Sequence, residues 1–326
     1  MTDLSIVIVS WNVRTLLERC LSSIYTSLAE PQGTLGIDKQ SALQCEVIVV
    51  DNASTDGSPE MVRQRFPNAL LIASDSNLGF TKANNIGVAH SSGRYILLLN
   101  PDTEILGDAL YTMITYMDNN PGVGALGPKI LFPNGQVQPS RRRFPTLATA
   151  FLESTVIQQW FPQNRVLARY YVQDRSDDEE QEVDWVIGAC LFIRRQAWEQ
   201  VGPLDEGFFM YSEELDWCRR LKAAGWRVFY SPWAQIIHYE GRSSSQVVPA
   251  RHVYFQSSKV RYFRKHHGAL AGELLRLFLL ATYVYQLCVE SFKWLVGHKR
   301  PLRRERIAAY LRVLQSGLHA QGEVQG

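Results

Sequence analysis

The first half of the chain alternates short apolar runs with segments of helical character. Runs of β-branched residues and leucine without a helical period predict buried strands at residues 4–10, 46–50, 69–73, 95–99 and 123–126. Helices are predicted between them, at residues 13–28, 59–66, 81–89 and 108–117. This alternation predicts an α/β fold built on a mainly parallel sheet that helices cover on both faces.

Patterning in the second half is less regular. Residues 31–44 and 133–145 are expected to be loops, and the strongly acidic residues 174–184 a mobile surface loop. Beyond them we predict strands at 185–193, 226–230 and 234–238, with a helix at 211–224. The chain is helical and basic from about residue 251, so we expect one large domain over residues 1–250 and a helical segment over 251–326.

Composition and charge exclude several classes of protein. With 46% hydrophobic and 20% charged residues, the 326-residue chain is an ordinary folded protein. Its five cysteines form no CxxC or Cys/His cluster, which argues against a disulfide framework or a zinc site. Residues 1–258 are net acidic, with 22 Lys and Arg against 28 Asp and Glu, whereas residues 259–326 have 12 against four. The acidic body argues against nucleic-acid binding, and the basic tail is either a solvated helix or faces an anionic partner.

Two apolar segments bear on localisation. Residues 4–9 are too short for a signal peptide and lack a basic flank, so we expect a cytoplasmic protein. Residues 274–289 are apolar apart from Arg276 and Gln286, but shorter than the roughly 20 residues that span a bilayer. With basic residues following, this stretch predicts an interfacial or re-entrant helix at the inner face of the plasma membrane. A helical cap or a dimer interface is the alternative.

Polar side chains end two of the predicted strands. Asp51 closes the strand at 46–50, and Asn100 and Asp102 follow the strand at 95–99, which Pro101 stops. In parallel sheets, ligands bind at the carboxyl ends of strands. Asp102 is therefore a candidate ligand for Mg²⁺ or Mn²⁺, and Asp51 for hydrogen bonds to a ribose or base. Turns and helix caps would use the same residue types.

Further candidates lie on predicted helices and loops. Lys82, near the start of a helix, suits a diphosphate. Glu213 and Glu214 follow an aromatic run, which favours a raised pKa and a role as a base for one of them; helix-dipole acids paired with Arg220 are the alternative. His238 is a candidate metal ligand or a structural histidine. No GxGxxG motif follows the first two strands, which argues against a dinucleotide-binding dehydrogenase.

Several segments, in this order, resemble the family 2 glycosyltransferases, whose nucleotide-sugar-binding fold is called GT-A. They are SIVIVSWN, VIVVDNASTDGS, NLGFTKANNIG, YILLLNPDTEI, GACLFIRRQAW with the following VGPLDEGFFMYSEELDWCRRLKAAGW, and HYEGRSS. These segments cover roughly residues 4–245, and SKVRYFRKHHG continues the likeness. Within the family, the sequence most resembles the bacterial rhamnosyltransferase-type enzymes of cell-envelope polysaccharide synthesis. The resemblance therefore implies a GT-A fold, Rossmann-like with flanking helices.

The resemblance also implies roles for individual residues. The donor-binding residues would be Asp51, Asn52, Asn77, Lys82, Asn100 and Asp102. Asn100 to Asp102 stands where the family has its DxD metal motif, so Asp102, completed by His238, would bind the metal. Glu214 stands where the family has its general base, beside Glu213. Candidate acceptor or phosphate contacts are Arg141, Arg143, Asp216 and Trp185.

Two of these positions depart from the family pattern. Asn100 replaces the first acid of the metal motif, which lowers the expected metal affinity, and Glu214 is one methylene longer than the usual aspartate. The implied activity is inverting transfer of a sugar, rhamnose in the subgroup that the sequence most resembles, from a UDP- or dTDP-type donor to a glycan or polyprenyl-linked acceptor. The alternative is a degenerate member that binds nucleotide sugar or glycan without turnover.

Overall fold

The protein is described from a computed structural model, which covers residues 2–29, 43–239 and 248–319. Most of the predicted loop at 31–44 and the end of the HYEGRSS segment lie outside these described residues. The chain folds as two compact units. The first comprises Met1–Phe144, Asp174–Asp205 and Glu214–Ser243, and the second Pro145–Gln173, Glu206–Glu213 and Ser244–Gly326. The second unit thus takes in two segments from within residues 1–250.

The first unit is built on one large sheet. Its strands run in the order β3-β2-β1-β4-β11-β6-β12-β5, with β7 beside β6 and β9 beside β12. The strands in chain order are β1 Leu4–Ser10, β2 Cys45–Asp51, β3 Leu70–Ala73, β4 Tyr95–Leu99, β5 Thr103–Ile105, β6 Val123–Leu131, β7 Val137–Gln138, β9 Gln181–Val183, β11 Cys190–Arg194 and β12 Arg227–His238. A separate two-stranded sheet pairs β8 (Arg141–Arg142) with β10 (Trp185–Val186).

Helices flank the sheet of the first unit and make up most of the second. In the first unit they are α1 Arg14–Ala29, α2 Ser58–Arg65, α3 Phe80–Ala89, α4 Ala109–Asn119, α8 Arg195–Val201 and α9 Glu213–Ala223, whose first residue the division assigns to the second unit. The second unit contains three short helices, α5 Leu147–Leu152, α6 Val156–Trp160 and α7 Arg165–Tyr170, and three long ones, α10 Val248–His267, α11 Ala269–Leu295 and α12 Arg300–Ser316.

The predicted parallel arrangement holds for one half of the sheet. Strands β3, β2, β1 and β4 are parallel throughout, and β1 and β4 are completely buried. Buried parallel strands explain why these segments read as continuous apolar runs. On the other side of β4, the antiparallel strand β11 leads into a mixed half in which β6 and β12 are parallel.

Three predictions from the second half of the chain are corrected. The single strand expected at 185–193 is two strands, β10 and β11, separated by residues 187–189. The strands expected at 226–230 and 234–238 are one strand, β12, with an irregularity between Ser231 and Gln235. Part of the acidic loop at 174–184 is strand β9, which pairs with β12.

Candidate active site

Asp51 lies at the carboxyl end of β2, opposite Ser10 of β1 and Ala73 of β3. Its side chain is buried, and Oδ2 accepts a hydrogen bond of 2.9 Å from the Ser54 N–H. Oδ1 has no hydrogen-bond partner among the described residues. A buried carboxylate oxygen without a donor is costly, so this atom is suited to accept a hydrogen bond from a ligand.

Other donor-binding candidates lie in, or next to, the loop that precedes α3: Asn52 follows β2, Asn77 is in the loop, and Lys82 is in the first turn of α3. The Asn52 side chain donates to the Gly79 carbonyl at 3.1 Å and accepts from the Leu78 N–H at 3.2 Å. Asn77 Oδ1 accepts from the Gly79 N–H at 2.9 Å. These amides therefore fix the loop to the end of β2. Lys82 is solvent-exposed near the start of α3, where its ammonium group is accessible to a ligand.

Strand β4 ends at Leu99, immediately before Asn100 and Pro101, as the proline predicts. The chain then forms β5, a three-residue strand that the sequence analysis did not predict. In the β5–β12 ladder, Thr103 is opposite His238. This pairing brings the buried Asp102 next to the histidine, with 3.3 Å between Asp102 Oδ1 and His238 Nε2.

The His238 ring has a different environment at each nitrogen. Nδ1 lies 3.0 Å from Oε1 of the buried Gln138, on β7, whereas Nε2 makes no hydrogen bond with the described residues. A proton on Nδ1 would be donated to Gln138, leaving the Nε2 lone pair beside the Asp102 carboxylate. Two buried lone pairs at this distance repel unless a proton or a cation lies nearby. The pair therefore fits a divalent cation, and Gln138, which the sequence did not indicate, orients the ring.

The protein supplies only part of such a coordination sphere. Among residues 2–29, 43–239 and 248–319, no third His, Cys, Asp or Glu joins this pair in a metal-binding cluster. Mg²⁺ and Mn²⁺ are commonly held by one or two protein ligands together with phosphate oxygens and water. Asp102 and His238 would fit that mode of binding, with phosphate oxygens and water as the remaining ligands.

Glu214 is in the first turn of α9. Its Oε1 accepts a hydrogen bond of 3.3 Å from the Gly188 N–H, and its solvent-shielded Oε2 has no partner among the described residues. Burial raises the pKa of this carboxyl group, and hydrogen bonds from backbone N–H groups and the charge of Arg142 only partly oppose the effect. A carboxylate with a raised pKa and one unused oxygen is suited to accept a proton.

Residues 187–189, between β10 and β11, connect Glu214 to the metal-site segment. Gly188 donates to Glu214, and the next carbonyl, that of Ala189, accepts a hydrogen bond of 3.0 Å from the Asn100 N–H. Residues far apart in sequence are thereby held to adjacent positions of one loop within the first unit. The structure thus brings the segment of the predicted metal ligand and the predicted base together.

Buried polar contacts hold α9 in place. Asp216, completely buried, accepts a hydrogen bond of 3.0 Å from Arg220, one turn later. Arg220 also donates to the carbonyls of Val201 and Pro203, at 2.9 and 2.7 Å, and Trp217 donates to that of Gly202 at 2.9 Å. The Asp216 carboxylate is therefore engaged in an ion pair that positions the helix.

The backbone before α9 is strained. Tyr211 and Ser212 both have left-handed conformations, with φ of 71° and 67°, although neither is glycine. Such residues cost on the order of 1–3 kcal/mol each and are often found at functional sites. Glu213, which follows, is buried. The chain thus turns sharply just before the first turn of the helix.

The candidate acceptor or phosphate residues Arg141, Arg143 and Trp185 make internal contacts. Arg141 is buried, forms an ion pair with Asp177 and donates to the carbonyls of Arg175 and Ser176. Arg143 lies 2.8 Å from Asp174, and Trp185 Nε1 donates to the Arg143 carbonyl at 3.0 Å. Within the first unit, these arginines thereby hold the acidic segment 174–184 in place.

Comparison with known proteins identifies the family. Residues 5–202 match the family described as glycosyl transferase family 2. The chain belongs to this family. The resemblance noted in the sequence and the expected glycosyltransferase activity are therefore confirmed. The matched range includes Asp51 and Asp102 and ends before Glu214 and His238.

Two relatives of this family 2 glycosyltransferase are rhamnosyltransferases. The N-acetylglucosaminyl-diphospho-decaprenol L-rhamnosyltransferase of Mycobacterium tuberculosis is 32% identical over 282 residues, which cover 82% of this chain and 87% of that protein. Rhamnosyltransferase WbbL of Escherichia coli is 29% identical over 197 residues, 57% of this chain and 70% of that protein.

The fold has a close counterpart among solved structures. Mannosyltransferase PcManGT from Pyrobaculum calidifontis, solved with GDP-Man and Mn²⁺, superposes with a TM-score of 0.55 over 99% of this chain and 88% of its own. Sequence identity is 15%, so the comparison bears on the fold alone. It confirms the expected GT-A fold.

Proposed function

We propose that this family 2 glycosyltransferase transfers rhamnose from a nucleoside diphosphate sugar to a hydroxyl of a polyprenyl-diphosphate-linked glycan, with inversion at the anomeric carbon. The donor sugar and the lipid-linked acceptor follow from the relative in Mycobacterium tuberculosis, which is similar over most of both chains. Such an acceptor would place the enzyme at the cytoplasmic face of the plasma membrane, in the synthesis of cell-envelope polysaccharide.

One observation carries the mechanism. Loop 187–189 contacts Glu214 through the Gly188 N–H and Asn100 through the Ala189 carbonyl. Asp102 is two residues after Asn100, and its carboxylate lies 3.3 Å from His238 Nε2. A sugar transfer requires a proton acceptor and metal ligands in one site, and this loop holds the segments of Glu214 and Asp102 together. The base serves the attacking alcohol, and the metal ligands serve the leaving diphosphate.

Binding of the donor would use three parts of the site. Asp51 Oδ1 accepts a hydrogen bond from the nucleoside, and Lys82 interacts with the diphosphate. Asp102 and His238 would hold Mg²⁺ or Mn²⁺, which when bound would supply charge neutralisation for the leaving diphosphate. We assign Asn52 and Asn77 to shaping the loop next to the nucleoside, because their amides bind its backbone. A dTDP- or UDP-type donor is the proposed nucleotide class.

The transfer itself is a single displacement. The acceptor oxygen attacks the anomeric carbon as the bond to the diphosphate oxygen breaks, and the electron pair leaves with the nucleoside diphosphate. Glu214 takes the hydroxyl proton, for which its unused Oε2 is available. We assign Asp216 a structural role in holding α9 in place, and we assign Glu213 to the turn that leads into this helix. Arg141, Arg143 and Trp185 are assigned a structural role, because Arg141 and Arg143 hold the acidic segment 174–184 and Trp185 donates to the Arg143 carbonyl.

The alternative of a non-catalytic binding protein has no supporting observation. The two departures from the family pattern are compatible with turnover, because Glu214 retains an unused oxygen and the metal pair involves Asp102 rather than Asn100. The test is transfer of labelled rhamnose from dTDP-rhamnose to a polyprenyl-diphospho-N-acetylglucosamine, with Mn²⁺ or Mg²⁺, beside a panel of other nucleotide sugars. Product with dTDP-rhamnose is expected. Turnover with another donor alone would refute the assignment of rhamnose, and turnover with no donor would refute the mechanism.

A further inference from the structure

One face of α11 exposes apolar side chains along the whole helix. At ~100° per residue, the exposed Glu273 lies just outside an arc of about 80° that holds eight of the twelve exposed positions of the helix. We call these eight positions the outer stripe: Leu270, Leu274, Leu277, Ala281, Val284, Cys288, Phe292 and Leu295. The leucines, valine and phenylalanine among them are 49–73% exposed. No charged residue belongs to the stripe, which is unusual for a helix surface in contact with water.

Aromatic side chains extend the outer stripe within the second unit. Tyr285, 46% exposed, lies beside the stripe, and its ring packs edge-on against Trp160 of α6 at 6.0 Å. Trp160 and Phe161 are themselves 59% and 62% exposed. Tryptophan and tyrosine have an apolar body and a polar tip, a combination that favours the boundary between lipid and water.

The opposite face of α11 packs against other residues of the second unit. Arg276 donates to the Gly317 carbonyl at 2.8 Å, and Tyr283 packs against Tyr310 of α12 with 5.5 Å between ring centroids. Near the end of the helix, the buried Glu290 accepts a hydrogen bond of 2.6 Å from Arg303. These contacts bind the helix to its neighbours along its length.

These contacts indicate whether α11 could span a membrane or would lie on its surface. At 27 residues, α11 is long enough to cross a bilayer, and it is the helix among the described residues with a suitable length and composition. Its extent corrects the shorter segment expected from the apolar run 274–289. Insertion would, however, either carry the arginine-rich α12 into hydrocarbon or break the Glu290–Arg303 pair, and both are costly. Only the outer stripe is available to lipid.

The charged residues near the outer stripe indicate what binds to it. Lys265 precedes α11, Lys299 and Arg300 follow it, and all three are exposed, as are Arg304 and Arg312 of α12. An antiparallel second copy would bring the positive ends of two such helices together, and like charges would oppose pairing. Anionic lipid headgroups complement the same charges.

We propose that the outer stripe, with Trp160 and Phe161, is a docking surface for an anionic phospholipid bilayer, on which α11 lies in the plane of the interface. This deepens the proposed function, on which it rests for its biological reason, because a polyprenyl-linked acceptor resides in a membrane. The proposal is argued from residues of the second unit alone: the exposure and spacing of the apolar side chains on α11, and the basic residues near its ends and on α12.

Flotation with liposomes tests the proposal using the full-length protein. Wild-type protein should float with vesicles of phosphatidylcholine and phosphatidylglycerol, bind pure phosphatidylcholine less, and be released by high salt or alkaline carbonate. The double variant Leu274→Gln and Leu277→Gln should partition at least about tenfold less. The matched control, Leu70→Gln with Trp233→Gln, alters exposed apolar residues of the first unit and should bind as the wild type does.

Each contrary outcome has a distinct meaning. Failure of the wild type to float, or equal flotation of the double variant with unchanged circular dichroism, would overturn the surface. Resistance to carbonate would overturn the in-plane orientation. A dimer that the double variant dissociates, without vesicle binding, would assign the stripe to a second copy. Flotation does not require turnover, so the two proposals can fail separately. A protein that does not float but glycosylates a detergent-solubilised acceptor would refute the docking surface and support the proposed function. A protein that floats but is inactive would support the docking surface and refute the proposed function.

Discussion

Replacing Glu214 by glutamine removes the proposed base while keeping the size of the side chain. The Gly188 N–H can still donate to the amide oxygen, so α9 and the loop that also holds Asn100 should keep their positions. General base catalysis contributes about 10²–10⁴-fold. We therefore expect kcat to fall by about 100- to 10,000-fold while the affinity for the donor changes little.

The pH dependence gives the same prediction an independent readout. Burial raises the pKa of Glu214 above its ordinary value of 4.5, so the proton-accepting form is lost at a higher pH than for an exposed carboxylate. Below that pKa, the wild-type kcat should fall about tenfold per pH unit. The residual activity of Glu214→Gln should lack this limb, because the group that titrates has been removed.

Stability should change in the opposite direction to activity. A raised folded-state pKa means that the folded protein binds this proton more tightly than the unfolded chain does. Glu214 therefore costs stability as pH rises from its ordinary pKa through the raised value, and the cost persists at neutral pH. Glu214→Gln should consequently unfold at a temperature equal to or above that of the wild type at pH 7 and show no such advantage in acid.

The assay measures initial rates of glycosyl transfer from about pH 5 to pH 9 for both proteins, with donor binding and thermal unfolding measured on the same samples. Transfer by Glu214→Gln within threefold of wild type, or an acid limb that survives the substitution, would refute the role of Glu214. A conserved rate with lost donor binding would instead place this side chain on the donor side.

Three other residues give sharp predictions. Asp51→Asn should weaken nucleoside diphosphate binding by about 10- to 100-fold, as expected for a hydrogen bond to a charged acceptor, and unchanged calorimetric affinity would remove Asp51 from the donor site. Gln138→Ala should weaken Mn²⁺ binding in the presence of donor by about 10- to 100-fold with little effect on folding; equal affinity by titration would show that the glutamine does not orient the histidine. Arg220→Met breaks an ion pair with a completely buried aspartate and should cost about 3–5 kcal/mol in urea unfolding, whereas Arg63→Met, at an exposed pair on α2, should cost less than about 1 kcal/mol. Equal losses in these two variants would contradict the anchoring role.

The parallel half of the fold was predictable because each strand carries its own signal. Strands β1, β2 and β4 are buried on both faces, and such strands read as uninterrupted apolar runs whatever follows them. Pro101 likewise ends β4 by a local effect, the missing N–H. These features require no knowledge of distant residues, and the structure confirms them.

The metal pair depends on contacts that no local pattern reveals. Strand β5 has only three residues, and it forms because β12 lies alongside. That pairing sets the distance between Asp102 and His238, and Gln138 arrives from a third segment. Sequence analysis named Asp102 and His238 as candidate ligands, and the family resemblance paired them, but it did not indicate the glutamine, because a buried glutamine has no signature of its own.

Charges also misled the interpretation of two segments. The acidic residues 174–184 read as a mobile loop, yet Arg141 and Arg143 hold them through ion pairs with Asp177 and Asp174. Charged residues at both ends of α11 shortened its predicted apolar run, although these residues pair within the helical unit and α11 continues from Ala269 to Leu295. Apart from the local pair of Glu273 with Arg276, these partners are distant in sequence, and a charge considered alone indicates exposure.

Donor affinity in two variants tests the central claim most directly. Calorimetric titration of dTDP-rhamnose with Mn²⁺ should show that Asp102→Asn weakens binding by at least about tenfold, whereas Glu214→Gln binds as the wild type does and fails to transfer the sugar. Equal donor affinity in all three proteins, or loss of binding in the Glu214 variant alone, would contradict the division of the site into a metal ligand and a base.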